Sequence, residues 1–248
     1  MADMKFKFTI QPYQTEAVES VVGVFAGQPF NDRFTYRRDV EIKRDVTNWM
    51  IPEEELYMGF ANARVQLDSG QLLNNIRRIQ TRNNIKLSET VTTGGLGACS
   101  LDVEMETGTG KTYVYIKTMF ELNKQYGWSK FIVVVPSIAI REGVRKSFET
   151  MQDHFMEYYG KKARFFVYDS KNLAEIDNFS QSADINVMII NIQAFNARGK
   201  DARRIRTELD DFGSRKPIDV IKANRPIVIL DEPQKMGGTA TQESLKEF

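Results

Sequence analysis

The chain has 248 residues, 42% of them hydrophobic, which is enough for one large domain or two small ones. Its 34 basic and 33 acidic residues leave a net charge of +1, so any nucleic-acid surface must be a local patch. A single cysteine, Cys99, excludes an internal disulfide framework and fits a reducing cytoplasm, and a single histidine, His154, argues against a His/Cys metal cluster. No apolar run approaches the roughly 20 residues of a membrane span. The opening MADMKFKFTIQPYQ lacks the long apolar core of a signal peptide. The expectation is a soluble, cytoplasmic protein with no membrane partner.

In chain order, Ala17, Val18, Val21, Val22 and Phe25 have helical spacing, with Pro12 near the start and Gly27 just past the end. Residues 28–51 are charged and turn-rich, without clean periodicity. Leu72, Leu73, Ile76 and Ile79 mark an amphipathic helix, and TRNNIKLSETVTTGGLG reads as a polar connector. From Leu101 the texture changes to short β-rich runs alternating with helical ones: SLDVEM, FIVVV (131–135), RFFVY (164–168), NVMII (186–190) and PIVIL (226–230). Continuous apolar runs of this kind suit a parallel sheet buried on both faces. Helices are expected from about Lys111 to Gln125 and from about Arg141 to Tyr159. The alternation predicts a doubly wound α/β domain, with ligands beyond the carboxyl ends of the strands.

The stretch after SLDVEM is Glu106-Thr107-Gly108-Thr109-Gly110-Lys111-Thr112. A strand, a glycine-rich turn and a helix N-terminus aim backbone N–H groups and the positive helix end at one point, as a phosphate requires. Gly108 and Gly110 permit the backbone turns, Lys111 would reach the β- and γ-phosphates, and the Thr112 hydroxyl would ligate Mg²⁺. Residues 107–112 are therefore the expected ATP-binding set. The strict loop pattern also has a glycine at position 105, where this chain has Met105.

Hydrolysis needs a carboxylate for the metal and a group that positions water. PIVIL ends in Asp231-Glu232-Pro233-Gln234, which assigns Asp231 toward Mg²⁺ and Glu232 toward the water. Lys111, Asp231 and Glu232 are thus the expected catalytic residues. Ser137 and the helix with Arg141, Arg145 and Lys146 follow the FIVVV strand. Asn191, Gln193 and Asn196 follow NVMII. Hydroxyls, amides and arginines at such places can hold a nucleic-acid backbone, and Ser137, Arg141 and Gln193 are the chosen DNA contacts. His154 and Cys99 have no catalytic partners and read as structural or surface residues.

METGTGKT, VVPSIAIREG, INIQAF and LDEPQ, in that order, resemble motifs I, Ia, Ib-like and II of superfamily 2 helicases. The Asp-Glu-Pro-Gln form, with VEMETGTGKTYVY and PSIAIREGV, is most similar to the restriction (Res) subunit of type III restriction-modification enzymes. Type I restriction motors and repair helicases are the alternatives, but they more often carry Asp-Glu-Ala-His or Asp-Glu-Cys-His at the second motif. The helicase form of motif I asks for glycines at 108 and 110 and accepts Met105. PYQTEAV resembles the glutamine motif that recognises adenine, which would put Gln14 on the base edge.

The resemblance implies a RecA-like P-loop NTPase fold, mainly parallel sheet with helices on both faces. It implies an ATP- and Mg²⁺-dependent motor acting on duplex DNA, partnered by a methyltransferase (Mod) subunit. A second lobe would supply an arginine finger, and a further domain would cleave DNA. The expected division is 1–26 as the N-terminal helix with the adenine motif, 27–97 as an insertion of unknown role, and 98–248 as the first motor lobe, cut off after motif II. A nucleotide-binding module with little or no turnover by itself is the expectation for these 248 residues.

Overall fold

Four of the five β-rich runs form strands, and all of them pair in parallel. The computed structural model describes residues 8–38, 58–93, 97–194 and 200–236. The strands are β3 (Lys130–Val135), β4 (Arg164–Val167), β5 (Asn186–Asn191) and β6 (Ile227–Leu230), in the spatial order β4-β5-β3-β6. Two shorter strands, β1 (Thr35–Arg37) and β2 (Met58–Phe60), make a separate antiparallel pair.

Side chains of β3 alternate between two cores. Phe131, Val133 and Val135 face a core with Val18 and Val22 from α1 (Pro12–Gly23), several residues of α3 (Lys111–Tyr126), and Val144, Phe148 and Phe155 from α4 (Ile138–Tyr159). Ile132 and Val134 face the other core, with Ile176 and Phe179 from α5 (Ala174–Gln181), Ile205 from α6 (Lys200–Arg206), and Ile218 and Ile221 from α7 (Pro217–Ala223). Both faces of the sheet are therefore covered by helices, which is why β3 and β5 read as unbroken apolar runs. Each fully buried Val, Ile or Phe contributes roughly 1.5–3 kcal/mol relative to exposure. The α/β, RecA-like expectation holds.

SLDVEM is the departure. Residues Ser100–Met105 form no strand, and Asp102, Val103 and Glu104 are exposed. A strand exists only through its neighbours' hydrogen bonds. Among the described residues none pairs with this run, and β6 is the edge of the sheet. Of its apolar side chains, Met105 packs against a core cluster.

Part of 27–97 is stitched to the amino end of β3. The Asn62 side chain accepts from Ser129 N at 2.8 Å and Lys130 N at 2.9 Å, and donates to Lys130 O at 2.8 Å. Its own backbone N–H donates to Asn224 O at 3.0 Å. Trp128 Nε1 donates to Ala63 O at 3.0 Å. The helix α2 (Ser69–Arg82) follows, started by a capping box between Asp68 and Gln71, and buries Leu72. Among the described residues no helix is long and apolar enough to cross a membrane.

Candidate functional site

The register of the sheet puts the predicted site residues at one end. Val135 of β3 lies beside Asn191 of β5, and Val134 lies beside Leu230 of β6. Ser137, Gln193 and Asp231 therefore all lie just past the carboxyl ends of three adjacent strands, where open α/β sheets bind ligands. Asn196 lies outside the described residues.

The loop before α3 turns through two left-handed glycines, Gly108 at φ 82° and Gly110 at φ 87°. A Cβ on Gly110 would stand 2.6 Å from Gln14 Nε2, so the loop is built against α1 as well as turned by glycine. Gln14 Nε2 donates to Thr109 O at 2.9 Å, and Tyr13 OH donates to the same oxygen at 3.1 Å. Gln14 is only 8% exposed, because it shares the inward face of α1 with Val18 and Val22. Thr109 Oγ1 closes the turn by donating to Glu106 O at 2.6 Å.

Lys111, the first residue of α3, donates from Nζ to Met105 O at 3.1 Å and lies 3.6 Å from Glu232 Oε1. Glu232 follows β6 and has φ 58°, a left-handed backbone for a residue with a full side chain. Such strain of order 1–3 kcal/mol persists where the surroundings impose it, and it clusters at functional sites. Lys235 Nζ is 3.6 Å from the other Glu232 oxygen. Burial works to raise the Glu232 carboxyl, but Lys235, Lys111 and Gln234 outweigh it and hold the group below its ordinary range. Asp231 goes the other way. Its burial and the neighbouring Glu232 charge raise it, against Tyr115 and the two lysines.

Lys111, Thr112, Asp231 and Glu232 are thus gathered from two distant segments. Hydroxyl and carboxylate oxygens are the hard donors that Mg²⁺ prefers, and Mg²⁺ takes one or two carboxylates and completes its shell with water and phosphate oxygens. The donor chemistry fits that ion. Among the described residues no group of three or more His, Cys, Asp or Glu could hold a metal unaided.

The predicted DNA contacts share the site's end of the sheet but are differently occupied. Ser137 caps α4, its oxygen accepting from Ile140 N at 3.3 Å. Arg141 is paired with Glu142 at 3.0 Å, and the same carboxylate also takes Arg145 at 2.9 Å. Gln193 is exposed in the turn after β5. His154 stands among aromatic rings, 3.1 Å from Tyr113 OH. Cys99 is half-buried, and burial pushes its thiol up to about 11.

Sequence reading missed Tyr115 and the loop contact of Tyr13. Tyr115 was in reach, because it lies three residues after Thr112 and so shares a helix face with it.

A family model described as type III restriction enzyme, res subunit, matches residues 66–248. The chain is 31% identical over 205 residues to the type III restriction-modification enzyme EcoP15I Res subunit of Escherichia coli, covering 76% of this chain and 21% of that protein. It is 29% identical over 204 residues to the EcoPI Res subunit of Escherichia phage P1, covering 75% and 21%. Against the StyLTI Res subunit of Salmonella typhimurium, identity is 36% over 157 residues, covering 55% and 16%. The chain spans about a fifth of the length of the curated relatives it matches.

Proposed function

The chain belongs to the type III restriction enzyme Res-subunit family, and from that premise we propose that it is the ATP-binding first motor lobe of such an enzyme. The observation that carries this reading is the meeting of Lys111 with Glu232 at 3.6 Å, beside Asp231, at the carboxyl end of a parallel sheet. In this reading residues 107–112 cradle the phosphates with backbone N–H groups, and Lys111 moves from the Met105 carbonyl to the β- and γ-phosphates. Gln14 keeps one amide N–H on Thr109 O and its Oε1 accepts from Gln11 N at 3.4 Å, which leaves its second amide N–H and one lone pair for the adenine edge.

Thr112 and Asp231 would hold Mg²⁺, directly or through water, and when bound the ion neutralises charge on the phosphate oxygens. Glu232, held below its ordinary range, is ionised, and it orients the attacking water once Lys111 has moved to the phosphates. Ser137, Arg141 and Gln193 lie on the DNA side of the lobe, and Arg141 exchanges Glu142 for a phosphate. The parent enzyme couples this ATPase to movement along duplex DNA and to cleavage, with a Mod subunit choosing the site and the cytoplasm as its compartment. The present 248 residues bind nucleotide and turn it over slowly by themselves. The resemblance assigns the arginine finger to another lobe, and such a finger is worth about 10³–10⁵ in rate in GTPases.

Calorimetric titration with ATP and Mg²⁺, for this chain and for Lys111→Ala, is the test. Binding that weakens by about 10- to 100-fold in the variant is expected, the scale of losing charge-assisted hydrogen bonds. Equal binding by both would overturn the assignment of the loop. Brisk DNA-stimulated phosphate release would overturn the reading of slow turnover.

A further inference from the structure

Tyr115 lies one turn into α3, with its ring packed against the larger core cluster and its hydroxyl at the site. The phenol donates to Asp231 Oδ2 at 3.5 Å. Tyr115 lies three residues after Thr112 and so shares its face of the helix. One hydroxyl on the Thr112 face of the helix therefore reaches Asp231 at the strand end, and Thr112 and Asp231 are the two residues read above as metal ligands. Tyr115 and Asp231 are 116 residues apart in sequence, so this contact ties the carboxylate at the strand end to the helix. The contact is at the long end for a hydrogen bond, as such contacts are before a ligand draws the site together.

We infer that Tyr115 is a positioning residue: its phenol holds Asp231 Oδ2 and so fixes the carboxylate that would ligate the Mg²⁺ of a bound nucleotide. This assignment rests on the nucleotide reading of the site. Groups that orient a metal ligand in this way are worth about 10- to 100-fold in metal affinity. A phenylalanine at 115 keeps the packed ring and removes the hydroxyl, so the core contact and the positioning contact separate cleanly.

The experiment is calorimetry of this chain and of Tyr115→Phe with a non-hydrolysable ATP analogue, in EDTA and across a Mg²⁺ titration, with melting curves of both. The expected result is an unchanged melting temperature, unchanged affinity in EDTA, and a Mg²⁺-dependent gain in affinity reduced about tenfold or more. Asp231→Asn should abolish most of the same gain. An unchanged Mg²⁺ dependence in Tyr115→Phe overturns the assignment while leaving the nucleotide site standing. So does an equal loss with and without Mg²⁺, accompanied by a lower melting temperature, since that marks a purely structural side chain. No nucleotide binding by the unmodified chain overturns the site reading and this assignment with it.

Discussion

Lys130 opens β3 and is 0% exposed, so its charge has no water to solvate it. Its amine donates to the carbonyls of Phe179 and Ser182 at the end of α5 and stands 5.1 Å over the Phe179 ring. Asp184 favours its charge and Arg164 opposes it, while burial, the larger effect, lowers its pKa from 10.5 to about 7. Unfolding restores the ordinary value, so between about pH 7 and 10.5 the unfolded chain binds the extra proton. The cost of keeping Lys130 charged is therefore fully present below pH 7. It is relieved as pH rises through this window, by up to about 1.4 kcal/mol per pH unit. Integrating from pH 7 to 9 with the folded group at its midpoint gives about 2 kcal/mol.

The perturbation is Lys130→Met, which removes the titrating group and leaves two carbonyls without their donor. Urea unfolding followed by the fluorescence of Trp128, itself 2% exposed, would be measured at pH 7 and 9 for both proteins. The stability of the unmodified chain relative to the variant should rise by about 2 kcal/mol over that range, whatever its absolute sign at pH 7. Other titrating groups cancel in that difference. A stability difference independent of pH would mean that Lys130 titrates near 10.5 in the fold, and the desolvation argument would be wrong.

Gly110→Ala forces a side chain onto a φ of 87° and into Gln14, so it should destabilise the chain by about 1–3 kcal/mol and weaken nucleotide binding. A melting temperature and affinity like those of the parent would show that the loop relaxes freely. Asn62→Ala strips partners from Ser129 N, Lys130 N and Lys130 O at the root of β3, a loss of about 2–4 kcal/mol in urea unfolding. A loss below half a kcal/mol would mean that water replaces the staple. Arg141→Ala should reduce the salt slope of duplex-DNA binding by about one, the signature of one lost phosphate contact. An unchanged slope would leave Arg141 as Glu142's partner alone.

FIVVV, NVMII, RFFVY and PIVIL were legible as strands because each is a short, mostly apolar run, with the central FIVVV and NVMII buried on both faces and the two edge runs mostly half-buried. The helix after Lys111 and the gathering of Lys111, Asp231 and Glu232 were legible for a related reason. A glycine turn before a helix and acids after a buried strand are local patterns, and a parallel sheet puts strand ends together. SLDVEM alternates apolar and acidic residues, as a strand with one exposed face does, yet pairing depends on a neighbour that its own letters do not supply. The paired state of Arg141, the burial of Lys130, the Asn62 staple and the contact of the Tyr115 phenol with Asp231 are of that second kind. Local sequence determines which segments turn, coil or extend, through dihedral preference and the spacing of apolar side chains. Which distant polar groups meet is decided in three dimensions, because the energy of a buried hydrogen bond or charge belongs to the pair and its surroundings.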